Sequence, residues 1–369
     1  MLTPIQLLKI NLMTHGLTIG QAAREELQGV GAVKRPLTLA DYASTSGVSI
    51  RLDGDIWVNA PIVDFNPNFV TRPAAELMWE SDEFRVRCGG IDVRAEPLPV
   101  PAYHDQANAM GEKYTSYAIT HTDRVRISPV QGCAITCQFC DLPYEYRYST
   151  KRVDGLVDSV ASALRDPLLP AHHVLISGGT PRVEDYGYVN EVYDRVCVAF
   201  PGVAVDVMMV PMPGLLDPVR LKAAGVHGLS INLELYNEDR AKAVMSGKAK
   251  ISRQTMLDFI DGAVHVFGPG QVRSLVLVGL ESLEDTLRAV RCLAERGCDP
   301  VLSPFRPDPS TPLKGLLPPE TDLLAAAYEA ARDIVAEYPD VRLGPRCIPC
   351  HHNTLTFPDG TDAYYVTAC

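Results

Sequence analysis

The sequence predicts an α/β protein: a partial (β/α)6 barrel, preceded by a small α+β domain and followed by a short extension that contains cysteines. Two observations carry this expectation. From about Arg124 to Gly344, short β-branched runs alternate with helical patterns, the rhythm of repeated βα units on a parallel sheet. Ahead of that stretch the rhythm breaks into Gly-centred hairpin patterns and a Pro-rich run. The expected boundaries are 1–120, 121–340 and 341–369.

In chain order, helices are expected at Pro4–Met13 and Ile19–Gln28. Gly47–Ala60 reads as a hairpin with Asp53-Gly54 at the turn between Val48–Leu52 and Ile56–Asn59, because Asp-Gly adopts the positive φ angles such turns need. A second pair, Phe84–Arg87 and Ile91–Arg94, flanks Gly89-Gly90, and Glu96–Pro101 reads as a linker. The barrel strands are expected at Val125–Pro129, His173–Ser177, Val203–Val210, Gly228–Glu234, Val272–Val278 and Pro300–Phe305. Most are compact apolar runs, as in strands covered on both faces. Helical patterns fall between them at Val153–Leu164, Asp185–Phe200, Asp217–Ala224, Arg253–Phe267 and Leu283–Arg296, and Pro319–Tyr338 follows the last strand. No internal repeat or low-complexity tract is present.

At 369 residues the chain is long enough for one large barrel and an accessory domain. A net charge of −11 argues against a dedicated DNA or RNA binder. No stretch approaches the ~20 apolar residues of a membrane span, and no cleavable leader is evident, so a cytoplasmic location is expected. In a reducing compartment, ten cysteines point to metal binding before disulfides.

Three of them lie within eight residues, Cys133-Ala-Ile-Thr-Cys137-Gln-Phe-Cys140, directly after the first barrel strand. Function in βα barrels collects at the C-terminal strand ends. A cubane [4Fe–4S] cluster takes four thiolates, so three leave one iron open to a substrate or cofactor. The alternatives are a zinc site completed by His172 or His173 and an electron-transfer cluster with a ligand from elsewhere. His173-Val-Leu-Ile-Ser177-Gly178-Gly179-Thr180-Pro181 places two glycines at the end of the next strand, where the backbone can approach a ligand closely.

The C-x3-C-x2-C spacing, with Phe139 before the last Cys, resembles the signature of the radical SAM superfamily, and Gly178-Gly179-Thr180-Pro181 resembles its "GGEP" motif with Thr180 in place of the acid. The match spans roughly Arg124 to Arg306, with the motifs in order. The resemblance implies an enzyme whose [4Fe–4S] cluster, on Cys133, Cys137 and Cys140, chelates S-adenosylmethionine (SAM) through its open iron. One electron then cleaves the sulfonium to give a 5′-deoxyadenosyl radical, which abstracts hydrogen from a small-molecule or cofactor-type substrate. It implies that Ser177, Gly178, Gly179 and Thr180 bind the methionine amino group and that Phe139 packs near adenine, or else fills the loop's own core. Asn232 and Glu234, on one face of the fourth strand, are the candidates for the ribose and carboxylate contacts; a packed polar layer is the alternative. Gly279 resembles part of a motif that supports adenine. An electron donor such as flavodoxin or ferredoxin is implied as partner. Arg306, at the end of the sixth strand, can hold a carboxylate or phosphate or form a rim salt bridge.

Cys347, Cys350 and Cys369 form a second constellation, in which Asn353–Phe357 with Asp359-Gly360 reads as a hairpin returning Cys369. It resembles three-Cys auxiliary [4Fe–4S] sites of some radical SAM enzymes; zinc, with His351 or His352 as a fourth ligand, and unligated thiols are the alternatives. The resemblance to the biotin-synthase-like branch is faint. The rival functions are a peptide-modifying radical SAM enzyme and a non-catalytic iron–sulfur or zinc protein.

Overall fold

The computed structural model describes residues 1–41 and 47–360. The chain opens with helix α1 (Pro4–His15), started by a reciprocal cap in which Thr3 accepts from the Gln6 backbone and Gln6 returns a bond to the Thr3 N–H. Strand β1 (Leu17–Ile19) and helix α2 (Gln21–Leu27) follow. The two hairpins are present: β2 (Gly47–Leu52) pairs with β3 (Ile56–Pro61), and β5 (Glu83–Cys88) pairs with β6 (Ile91–Pro97). A strand not expected from sequence, β4 (Ala75–Glu80), pairs with β5 and with β1, giving a six-stranded sheet of order β1-β4-β5-β6-β2-β3. The expected linker at Glu96–Pro101 begins as strand, because Glu96 lies opposite Arg51 in the β2–β6 ladder and accepts from its guanidinium at 3.0 Å.

The second sheet has order β15-β14-β13-β12-β11-β8-β7. Its members are β7 (Ala118–His121), β8 (Arg124–Ile127), β11 (His173–Ile176), β12 (Ala204–Met208), β13 (Gly228–Ser230), β14 (Val272–Val278) and β15 (Asp299–Pro304), with a two-residue ribbon of β9 (Val130–Gln131) and β10 (Ser149–Thr150) above β8. Six strands run parallel, each at an expected position, and β7 adds an antiparallel edge. Helices α3 (Leu142–Glu145), α4 (Val153–Leu164), α5 (Tyr186–Ala199), α6 (Pro218–Ala223), α7 (Glu238–Val244), α8 (Arg253–Phe267), α9 (Leu283–Ala294) and α10 (Thr321–Val335) connect or follow the strands. The result is a half-barrel with a mixed α/β layout. Residues such as Val174, Ile176, Val207, Leu229, Val276 and Leu302 are fully buried in its core. The fourth strand is shorter than expected. Its ladder breaks after Ser230, and Glu234 takes a left-handed φ of 66° before bridging to Val276.

Because the six strands are parallel, the sheet has a distinct edge at each end. Beyond α10 the chain passes beneath the N-terminal edge: Arg342 N donates to Asp299 Oδ1 at 2.9 Å, and Gly344 N to Pro300 O at 2.8 Å. It makes a 3-10 turn at Pro349–Asn353, then runs beside β15, where Leu355 N donates to Leu302 O. The return of Cys369 by a hairpin lies outside the described residues. Lys9 of α1 holds this segment, its buried Nζ donating to His351 O at 2.8 Å and Thr356 O at 2.6 Å. No helix among the described residues is long and apolar enough to cross a membrane.

Candidate functional site

Cys133, Cys137 and Cys140 sit on the loop that leaves the C-terminal end of β8, and all three are free, half-buried thiols. Three contacts fix the loop. Gln138 N donates to Val244 O at 2.7 Å, Ala134 N donates to Thr180 O at 2.9 Å, and Thr180 N donates to Cys133 Sγ at 3.1 Å. Gly178 and Gly179 allow that approach. A Cβ on Gly179 would lie 1.8 Å from Gly132 O and 2.8 Å from Cys133 Cα, and one on Gly178 would lie 1.9 Å from Ser128 Oγ. Gly178 also has φ +135°, a conformation other residues rarely adopt. The two motifs therefore interlock, and the glycine pair is the seat of the cysteine loop.

The thiols are desolvated. Burial pushes Cys137 up to about 12, with Lys248 opposing and Glu234 and Cys133 adding to the rise. Burial likewise raises Cys140, helped by Asp141 and the neighbouring thiols. Such thiols keep their protons until a cation displaces them.

Of the fourth-strand candidates, Asn232 Oδ1 accepts from Ser230 Oγ at 2.8 Å and from Leu275 N at 3.3 Å. Glu234 is paired with Lys248 at 3.2 Å, the two side chains being 13% and 5% exposed. Ser177 Oγ accepts from Arg126 Nε at 2.7 Å. Phe139 packs on a small apolar cluster that includes Leu235, Leu277 and Phe305. A Cβ on Gly279 would lie 2.9 Å from Pro319 Cγ, so the proline ring packs directly on this glycine. Arg306 Nη1 lies 3.5 Å from Asn59 O, and desolvation lowers its guanidinium to about 10. Lys248 and Arg126 had no motif to announce them. They reach the site from a short 3-10 turn and from the middle of β8, and only their sequestration marks them.

Other groups are placed elsewhere. His173 stands at the N-terminal end of β11, so it cannot complete a zinc site on the Cys133 loop at the other end. Cys347 and Cys350 also lie at the N-terminal edge, in contact with Asp123 and His173. His351 Nε2 bonds Pro345 O and His352 Nδ1 bonds Pro349 O. His104 pairs with Asp41, and Asp105 with Arg35, in a network on the first half of the chain. Cys88 lies in β5 against Asn11. Tyr144 and Tyr146 are exposed, and Tyr148 is committed to Asp185 and Arg182.

No family model matches the chain. The bacteriochlorophyllide c C-7(1)-hydroxylase of Chlorobaculum limnaeum is 31% identical over 134 residues, which is 36% of this chain and 33% of that protein. The match thus spans about a third of the length of that curated relative. Solved structures with a similar fold include a radical SAM methyltransferase from Sphaerobacter thermophilus (TM-score 0.49, 16% identity, 73% of this chain and 74% of that one). Another is the FeFe-hydrogenase maturase HydG from Carboxydothermus hydrogenoformans (0.47, 16%, 60% and 54%).

Over those 134 residues the chain is similar to that hydroxylase. The residues at the C-terminal edge would suit a [4Fe–4S] cluster with SAM: three reduced thiols on one loop, a glycine pair with no room for a Cβ beside them, and an internal Lys–Glu pair next to Cys137.

Proposed function

We propose that this chain is a radical SAM enzyme that removes a hydrogen atom from an anionic small molecule held at the C-terminal edge of the half-barrel. The observation that carries the reading is the interlock of the Cys133–Cys140 loop with Gly178-Gly179, closed by the Thr180 N–H bond to Cys133 Sγ. In this reading Cys133, Cys137 and Cys140 ligate one [4Fe–4S] cluster. The backbone of Ser177–Thr180 faces the amino group of SAM, Lys248 with Glu234 and Asn232 offers charge and hydrogen bonds to its carboxylate and ribose, and Phe139 lies beside the adenine. When bound, the cluster and SAM supply a 5′-deoxyadenosyl radical.

What the protein's own residues do is position and exclude. The N–H donated to Cys133 Sγ stabilises charge on that thiolate. Arg126 and Arg306 support an anionic substrate. Both guanidiniums are desolvated, and neither has a carboxylate at ion-pair distance among the described residues. A buried cation without a counterion is costly, and a substrate carboxylate or phosphate would supply one. The relative's hydroxylation of a bacteriochlorophyllide supports C–H modification as the class of chemistry. The boundaries near residues 120 and 340, an electron donor of the flavodoxin or ferredoxin type, and a cytoplasmic setting belong to the same proposal.

The test is anaerobic reconstitution with dithionite and SAM. The wild-type protein should form 5′-deoxyadenosine and hold about four irons per chain. The Cys133/Cys137/Cys140→Ala variant should form none, and residual product there would refute the ligand assignment. Deuterium transfer from labelled candidate carboxylic acids into 5′-deoxyadenosine would identify the substrate.

A further inference from the structure

Four ionisable side chains converge at the N-terminal edge of the sheet, away from the Cys133 loop. Asp123 precedes β8, His173 opens β11, and Cys347 and Cys350 come from the segment that passes beneath the barrel. One donor atom from each lies within 4.8 Å of the others. Five of the six separations are individually defined. Cys347 Sγ is 3.2 Å from Asp123 Oδ1 and 3.5 Å from His173 Nε2. Cys350 Sγ is 3.5 Å from the same nitrogen and 3.9 Å from the same oxygen, and His173 Nε2 is 3.3 Å from Asp123 Oδ1.

These are the edges of a tetrahedron. Donors bonded to one zinc ion at about 2.0–2.3 Å stand about 3.3–3.8 Å apart. The terminal sulfurs of a cubane, each on a different iron, stand much farther apart than that, so the measured edges suit a single ion and not a cluster. The donor set, two sulfurs, an imidazole nitrogen and a carboxylate oxygen, with the cysteines in C-x2-C spacing, suits zinc. Both cysteines are free thiols and 3% exposed, and the Asp123 and His173 side chains are 9% and 3% exposed. Packing four such groups together out of water is unfavourable unless a cation joins them.

We propose that Asp123, His173, Cys347 and Cys350 bind one structural zinc ion that staples the C-terminal segment to the N-terminal edge of the barrel. All four positions are filled by protein, so no site remains for water or substrate, which separates it from a catalytic zinc. The ion also stands apart from the radical chemistry. β11 alone puts roughly 10 Å between the two sites, at about 3.3 Å per residue.

The experiment uses the full chain carrying Cys133/Cys137/Cys140→Ala, in which only the second site remains. Elemental analysis should find one zinc per chain and no acid-labile sulfide. Zinc X-ray absorption should show two sulfur and two nitrogen or oxygen neighbours. Replacement by Co2+ should give the intense visible bands of a tetrahedral site with thiolate charge transfer. Asp123→Asn, which keeps the side-chain shape, should release zinc to a chromophoric chelator at least roughly tenfold faster. Iron in place of zinc, a Cys347–Cys350 disulfide, four-sulfur coordination, or metal-free protein with a native melting temperature would overturn the assignment. None of these readouts depends on SAM cleavage, so failure here and failure of the radical reading are told apart.

Discussion

Gly179 is where a single methyl group should matter most. Its Cβ would meet Gly132 O and Cys133 Cα of the backbone, which cannot rotate away as a side chain could. Gly179→Ala should therefore displace the cysteine loop while leaving the barrel folded. Iron content after anaerobic reconstitution should fall by at least half, with an unchanged circular dichroism spectrum; full iron loading would show that the contact is not a constraint. Lys248 and Glu234 form the second residue-scale device. Removing one partner of a buried ion pair costs about 3–5 kcal/mol, because the other charge is left behind. Lys248→Met and Glu234→Gln should each lower urea stability on that scale, and the double variant should recover part of the loss. Additive losses would mean that the two charges do not act as a pair. The cysteine loop and the glycines were readable in sequence because each is a contiguous string whose spacing encodes its geometry. Lys248 was not, since a lysine in a polar turn looks solvent-exposed until Glu234 and Cys137 are seen beside it.

Among elements, the parallel strands were legible because burial on both faces writes itself as unbroken apolar runs, as in His173–Ile176. Several elements escaped, β7 and α7 among them, and two show why. β4 carries Glu76 and Glu80 on a sheet with one exposed face, so its run looks like loop. The end of β13 was overrun because Asn232 and Glu234 keep the alternation of a strand while the backbone at Glu234 has turned left-handed. One buried carboxylate ties the strands together. Asp206 of β12 pairs with Arg273 of β14 at 2.8 Å and with His227, just before β13, at 3.2 Å. Burial alone would raise its pKa, but Arg273 and His227 outweigh that and hold the carboxyl well below the usual carboxylate range. The unfolded chain then takes up the proton first as pH falls. The contribution is complete near neutrality and drains away below about pH 4. Asp206→Asn should cost about 3 kcal/mol at pH 7 and should flatten the acid limb of the stability profile. An acid limb as steep as that of the wild type would assign the effect to other carboxylates.

At the scale of the whole molecule, the segment after α10 joins the two sheets. Lys9 reaches it from α1, with burial holding the Lys9 pKa well below that of an ordinary lysine, and the ring of Phe357 lies 5.0 Å from its Nζ. Lys9→Met would leave the buried Thr356 carbonyl without its donor and take one of the donors from His351 O, a cost of about 1–3 kcal/mol. Limited proteolysis should then cut within residues 341–360 faster than in the wild type, and an identical digestion pattern would remove Lys9 as the anchor. This scale was the least visible in sequence. Asp123 and Cys347 are 224 positions apart, and nothing local to either announces the other.

That separation bears on synthesis. A ribosome delivers the first strand of the half-barrel long before the residues that will touch its lower end. Through most of translation, Asp123 and His173 must wait beside an unfinished floor. Whatever order the upper strands adopt meanwhile, the lower end of this protein can close only after residues 347–350 have left the exit tunnel.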